Sequence, residues 1–328
     1  MALILTDSQN YTNIASAIRT KLGTSSTFKP SQMASAITSI GGNGGIVPTG
    51  TSVITANGMY DVTNFASASV NIPESIYMQK YAGTLSTYTD SSITTLPYGV
   101  LACTENLTTV NFPELLTVGS SAFAYCYRLR NISFPKVKTI SQYAFQYCSS
   151  MNYAIDSTKF PSLTGTVGAY AFRTCQYLTG VNLSNVTSIG AQAFSGCSRI
   201  TSVNLPNITS TGAGAFSYLT TCTEYSLPKL QTVGSSTFYS NWALSTLTLP
   251  AATKISAYAF RYCSTLMSLY LPGSSIPALA STTAFANMPM SVSVNNEYGS
   301  IYVPSSLVAS YKAATNWSTY SNRIVAIP

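Results

Sequence analysis

The sequence predicts a repeat solenoid in which each coil of about 22 residues contributes a short parallel β-strand. Three observations predict it: a phenylalanine that recurs at near-constant spacing, apolar residues at fixed offsets from it, and alternating runs that end at proline. Phe123, Phe145, Phe172, Phe194, Phe216, Phe238, Phe260 and Phe285 are separated by 22, 27, 22, 22, 22, 22 and 25 residues. Alanine precedes each of them except Phe238, which follows Thr237. Six residues after the first seven stand Leu129, Met151, Leu178, Ile200, Cys222, Leu244 and Leu266, and five before are mostly Val or Ile: Val118, Ile140, Val167, Ile189, Val233 and Ile255. These positions form the expected interior, because one coil cannot bury its own apolar side and must stack on its neighbours.

The strands are expected in Leu107 to Pro113, Leu129 to Pro135, Ile200 to Pro206, Leu244 to Pro250 and Leu266 to Pro272, which alternate apolar and polar residues. Proline, lacking an N–H, would close each ladder. Gly119, Gly168, Gly190, Gly212 and Gly234 lie four residues before the anchor, where a tight turn with positive φ is expected.

The motif Ile189-Gly190-x-x-Ala193-Phe194-x-x-Cys197 and its copies, over roughly residues 96 to 290, resemble the leucine-rich repeats of the BspA type, found in bacterial surface proteins and in proteins of phages and prophages. The resemblance implies a leucine-rich-repeat fold and a role in adhesion or recognition.

Six of the seven cysteines fit one repeat position: Cys126, Cys148, Cys175, Cys197 and Cys263 lie three after the anchor, and Cys103 lies three after Val100, read as the anchor of a divergent first coil. Cys222 replaces a strand leucine. Coils about 4.8 Å apart with parallel side chains hold Cβ atoms farther apart than a disulfide prefers, so a ladder of reduced thiols is expected. There is no C-x-x-C and no histidine, so neither a metal site nor a cofactor is expected. The missing histidine also removes the commonest general base. The nine carboxylates are scattered, whereas glycoside hydrolysis needs two held about 5 to 9 Å apart, so no enzymatic activity is expected.

Charged residues make up only 8% of the chain, and its +7 balance contains no basic run that could follow a phosphate backbone, which argues against nucleic acid. No stretch reaches 18 apolar residues, so no membrane insertion is expected. The run from Met1 to Leu5 is short and lacks a basic region before it, so no signal peptide is read. An extracellular role would then require assembly into a particle or release by lysis.

Ahead of the repeats, Tyr11, Ile14, Ile18 and Leu22 and then Met33, Ile37 and Ile40 have helical spacing, predicting a helical hairpin over residues 1–40. Its apolar stripe would dock on its own β-module, or pack on a sister chain or another protein. Residues 41–45 read as a glycine-rich linker, and 46–75 as a small β-module built on the Asn57-Gly58 hairpin turn. The segments Tyr11 to Arg19 and Phe28 to Met33 resemble the attachment region of tail-associated and other virion proteins from phages of Gram-positive hosts. The solenoid is expected over 76–290 and a strand-helix-strand cap over 291–328, covering the backbone that an open stack leaves unpaired.

Tyr125, Tyr147, Tyr218 and Tyr262 stand two residues after the anchor, Arg173 and Arg261 one after, and Trp242 four after. Stacked coils would set them in rows, giving large contact area and hydrogen bonding suited to sugars or protein. The alternatives are ordinary exposed residues or a subunit interface. The strand face, with Asn111, Asn131, Asn182, Asn204, Thr246 and Thr248, is a second candidate.

The expected function is that of a phage or prophage virion structural protein of the tail-fibre or receptor-binding type. It would be a homo-oligomer, attached to other virion proteins through its N-terminal helices, located in the virion and extracellular after host lysis. Its repeat surface would meet a host glycan, wall polymer or surface protein. A bacterial surface adhesin, or a head-fibre or decoration protein, is the alternative.

Overall fold

A computed structural model describes residues 82–293 and 297–328, together with Ile76, Gln79 and Lys80. The expected helical hairpin, linker and β-module lie outside the described residues. Residues Thr87–Pro328 form one compact unit, and it is the solenoid.

Strands β1 (Thr87–Thr89) and β2 (Thr109–Asn111) open the stack. The next coils contribute pairs: β3 (Thr117–Val118) and β4 (Asn131–Ser133), β5 (Thr139–Ile140) and β6 (Ile155–Asp156), β7 (Gly165–Val167) and β8 (Gly180–Asn182), β9 (Val186–Ile189) and β10 (Ser202–Asn204). The pattern continues with β11 (Ser210–Thr211) and β12 (Glu224–Ser226), β13 (Thr232–Val233) and β14 (Thr246–Thr248), β15 (Lys254–Ile255) and β16 (Ser268–Tyr270). After β17 (Ala278–Leu279) come β18 (Ser300–Val303), a short helix α1 (Val308–Ala313) and β19 (Ile324–Ala326).

All ladders are parallel, as in Thr109↔Asn131 and Ser202↔Glu224, and the register shifts only between β7 and β9, at Gly165 and Thr166. The front face consists of three sheets, β1-β2-β4, β6-β8-β10-β12 and β14-β16-β18-β19. The sequence pattern anticipates β2, β4, β10, β14 and β16, although each is only the centre of its predicted run, and it predicts no run at β1, β6, β8 or β12. It does not anticipate a second strand per coil: eight strands of two to four residues form one unbroken back sheet, six of them ending at the Val or Ile five before the anchor and the other two at Thr211 and Leu279. Two residues suffice there because each peptide pairs with the coils above and below.

The anchor phenylalanines are fully buried and stack face on face, with centroids 5.3 Å apart for Phe123 and Phe145, 5.1 Å for Phe145 and Phe172, and 5.3 Å for Phe238 and Phe260. Each such pair contributes about 0.5 to 1.5 kcal/mol beyond the area it buries. The backbone around the anchor continues the stacking: the Phe123 N–H donates to the Ala144 carbonyl at 2.8 Å and that of Phe172 to Ala193 at 2.8 Å.

The front ladder breaks twice. Between β4 and β6 the cause is length, since 27 residues separate Phe145 from Phe172. Between β12 and β14 the spacing is a regular 22 residues and the cause is a side chain. Tyr225 takes a position held by Val203 below and Leu247 above, and wedges edge-on against Phe238 at 5.0 Å and Phe216 at 6.0 Å. The phenylalanine steps on either side of Phe216 widen to 6.2 and 6.1 Å.

The C-terminal cap carries the front sheet two strands further and covers the last anchor. Trp317 and Tyr320 pack on Phe285, the Trp317 indole N–H donates to the Pro277 carbonyl at 2.8 Å, and the Tyr320 hydroxyl donates to the Thr282 carbonyl.

The repeat glycines have a different reason from the one expected. Gly119, Gly168, Gly190, Gly212 and Gly234 do not have positive φ; they sit where the neighbouring coil touches the chain. A Cβ on Gly212 would come within 2.3 Å of the Ala191 amide nitrogen, and one on Gly119 within 2.0 Å of the Leu96 carbonyl oxygen. Positive φ falls two residues before and two after the anchor, mostly on larger residues such as Tyr143, Tyr147, Tyr170 and Tyr262. Gly212→Ala should therefore destabilise the fold by about 3 kcal/mol, through overpacking that only a shift of backbone can relieve. Gly196→Ala, whose new Cβ would approach nothing closer than 3.4 Å, should cost only about 1 kcal/mol for its left-handed backbone. Urea denaturation midpoints check the difference; equal losses would refute the close-approach explanation.

Candidate recognition face

The thiols are packing elements. Cys126, Cys148, Cys175, Cys197 and Cys263 are buried, and each donates its S–H to the carbonyl of the preceding coil's anchor, at 2.9 to 3.1 Å. A small side chain with one weak donor fits a site facing the anchor carbonyl, which already accepts a bond from its own coil. Burial pushes the Cys222 thiol up to about 11 and that of Cys263 to about 12, and raises Cys148, Cys175 and Cys197 as well, so none is a ready nucleophile. Cys103 departs from the expected interior row. Leu101 is the first coil's anchor, its N–H donating to the Ala122 carbonyl at 2.9 Å as Phe123 donates to Ala144, so Cys103 takes the exposed position of Tyr125. Thr104 fills the interior site and donates to the Leu101 carbonyl at 2.6 Å.

Three carboxylates serve local structure. Glu114 pairs with Lys136 at 2.6 Å, Asp156 accepts from the Thr158 amide and hydroxyl at 2.9 and 2.6 Å, and Asp90 accepts from Ser92 in the same way. Among the described residues no cluster of three or more His, Cys, Asp or Glu could hold a metal.

The tyrosine and arginine positions form two patches on the anchor-flanking surface. In the first, Tyr125 and Tyr147 stack at 5.0 Å and 13°, with Tyr127 edge-on to Tyr125. Tyr143 and Tyr170 stack at 4.7 Å, and the Arg173 guanidinium lies 5.6 Å from the Tyr170 ring. In the second, Tyr218 and Tyr262 do not touch directly; Tyr239 bridges them, at 5.3 Å from one and 5.4 Å from the other. Arg261 lies between Tyr258 and Tyr262, 5.2 and 4.8 Å from their centroids. Its Nη2 donates to the Tyr262 hydroxyl at 3.2 Å, while its buried Nε has no partner. Trp242, 53% exposed, joins no ring contact among the described residues and lies further round the coil. Between the patches, the coil of Phe194 presents only Gln192 and Gly196 at the flanking positions, Ser195 being buried.

Tyr143, Tyr170, Tyr258 and Tyr239 were not singled out from the sequence, although the Tyr-Ala-Phe triplet at Tyr143, Tyr170 and Tyr258 was there to be read. The expected attachment residues, Tyr11 to Ile40, lie outside the described residues. Burial, with smaller effects from neighbouring rings, raises the Tyr125, Tyr127 and Tyr239 phenols above their ordinary value, so they stay neutral donors at physiological pH.

This surface is cationic and aromatic. No Asp or Glu occurs from three residues before to two after any anchor from Phe123 to Phe285, while Arg173 and Arg261 do. Lys136 with Glu114 is the sole ion pair among the described residues, so neither arginine has a carboxylate partner. The strand face is instead laced by its own side chains: Asn204 donates to Asn182 at 3.0 Å and Asn131 to Thr109 at 3.3 Å. A hollow of about 540 Å³ opens on it at the broken ladder, beside Glu224 and Tyr225.

Accessible thiol counting tests the placement of the cysteines. A thiol reagent should titrate one of the 7 cysteines, Cys103, in the native protein and all of them in denaturant; two or more fast thiols in the native state would contradict the buried ladder.

Known proteins resemble this chain in part. Solved structures similar to it include a leucine-rich repeat protein of T. pallidum, 24% identical over 50% of this chain and 80% of that one with a TM-score of 0.47. A leucine-rich cell surface protein of Faecalibacterium prausnitzii is 20% identical over 70% of this chain and 67% of that one, with a TM-score of 0.42. No curated protein matches the chain. The family model described as BspA type leucine rich repeat region matches residues 61–152 and 149–267 in 6 copies. More than half of the sequence is thus covered, and the chain belongs to the BspA-type leucine-rich repeat family.

Proposed function

We propose that this protein is a non-catalytic recognition protein whose tyrosine and arginine patches contact a surface polymer or protein of a host cell. The observation that carries this reading is the anchor-flanking surface itself: stacked, exposed aromatic rings with two arginines and no acidic residue at the positions flanking the anchors, Glu105 standing at the edge beside Tyr127. Aromatic faces stack on sugar rings, and an arginine already held against rings loses little freedom on binding. The strand face offers short side chains that already bond to one another, which supports its lower rank.

We further propose that the carrier is a phage or prophage virion, with Tyr11, Ile14, Ile18, Leu22, Met33, Ile37 and Ile40 providing attachment and self-association. What supports this is the likeness of the N-terminal segments to virion attachment regions. A bacterial surface adhesin remains the second reading, since the family match lies in residues 61–267 and is equally what an adhesin would show. The genes flanking this one separate the two: tail or capsid genes support the virion, and an isolated surface-protein locus would sink it.

Replacing Tyr125, Tyr147, Tyr218 and Tyr262 together by Ser should lower binding to host cells by at least about tenfold, equivalent to about 1.4 kcal/mol, with an unchanged melting temperature. Binding at the original level would remove the assignment. Incubation with purified host wall should release no soluble fragment; release would overturn the non-catalytic reading.

A further inference from the structure

The row two residues after the anchor does not stop at Tyr262. It continues to Asn287 in the last coil, and there the surface turns inward. A notch of about 470 Å³ lies between that coil and the C-terminal cap, lined among others by Thr282, Asn287, Tyr298, Thr319, Asn322 and Arg323. Its volume falls within the range of about 300 to 1,000 Å³ usual for small-ligand sites.

Three features give it a chemistry. Arg323 lies over Tyr298, its guanidinium carbon 3.4 Å from the ring centroid, a contact that restricts where its donor fork can point. It forms no ion pair among the described residues, and neighbouring Glu297 is not its partner. The other polar lining is neutral, including the amides of Asn287 and Asn322 and the hydroxyls of Thr282 and Thr319, with no carboxylate. The walls are tied together before any ligand arrives. Besides the Trp317 and Tyr320 bonds already described, Asn316 donates to the Leu279 carbonyl at 2.7 Å.

We propose that this notch binds a small anionic, hydroxyl-rich unit, a carboxylate- or phosphate-bearing sugar or polyol. The anion takes the Arg323 fork, and the amide and threonine groups meet the hydroxyls. The mouth is wide, so a single unit binds weakly, with Kd of about 1 mM. Position makes the notch a terminus for the row of Tyr218 and Tyr262, but occupation by a single unit does not depend on what the tyrosines bind.

Titration of the full chain with glucuronate, glucose 6-phosphate and glucose, followed by isothermal calorimetry or protein NMR, tests this. Expected is saturable binding of at least one anionic sugar, at least about tenfold tighter than glucose and weakened between about 20 mM and about 500 mM salt. Glucuronate alone, glucose 6-phosphate alone, or both would support the site and identify the anion. Arg323→Gln should lose at least about tenfold in affinity and Arg323→Lys less, with binding to host cells unchanged in both. If Arg323→Gln melts at a lower temperature, Asn322→Ala, which leaves the cap's bonds to the last coil in place, should weaken the same sugar by itself. Equal affinity for glucose and the anions, no binding of either anion, or wild-type affinity in Arg323→Gln would overturn the proposal. None of these outcomes bears on the tyrosine patches, whose own test is cell binding.

Discussion

A parallel ladder holds neighbouring strands about 4.8 Å apart, and in this molecule nearly every other feature follows from that spacing. The coils are so close on the glycine side that a single Cβ would meet backbone at 2.0 to 2.5 Å in all five repeat glycines. On the opposite side a planar ring fits the gap, which is why phenylalanine stacks coil after coil at little more than the ladder spacing. A thiol fits the smaller site beyond it and satisfies the carbonyl one coil below. Each coil contributes little alone, and stability comes from the repetition.

The coil between Phe216 and Phe238 shows what happens when the interior is altered and the length is not. Tyr225 replaces an aliphatic residue, Asn241 stands where other coils have cysteine, and Thr237 stands where they have alanine. These substitutions form their own buried network: Asn241 donates to the Tyr225 hydroxyl at 2.8 Å and accepts from the Leu219 amide at 2.9 Å, and the Thr237 and Thr211 hydroxyls lie 2.9 Å apart. Burial, reinforced by Cys222, pushes the Tyr225 phenol well above its ordinary value, so it remains a neutral partner in that network. Satisfied polar groups make such a coil tolerable, at the cost of the front ladder between β12 and β14.

Most of the fold was legible because its determinants repeat. The anchor, the strand centres and the interior cysteines follow from offsets alone, and the cap follows from its own periodicity. Three things were not legible, for physical reasons. The back strands are two to four residues long and exist only because neighbouring coils pair with them, so no local pattern announces them. The glycines read as turn formers because glycine's two uses, positive φ and close approach, look the same in sequence. Cys103 was misplaced because Leu101, rather than Val100, is the anchor of a coil that lacks phenylalanine. Of the candidate face, Tyr125 with Tyr147 and Arg261 with Tyr262 meet as their offsets suggest, whereas the bridging role of Tyr239 depends on side-chain direction.

The interior is chemically quiet: raised thiols and stacked rings. Under the proposed function, recognition falls to what the spacing displays outward, and the display is uneven, with aromatic and cationic groups on the anchor-flanking side and short self-bonded groups on the strands. Hydrogen exchange of the full chain, free and bound to host cells, tests this division most directly. Protection should rise in segments containing Tyr125, Tyr147, Tyr218, Tyr239 and Tyr262 and stay unchanged in the front strands; protection confined to the front strands would contradict it.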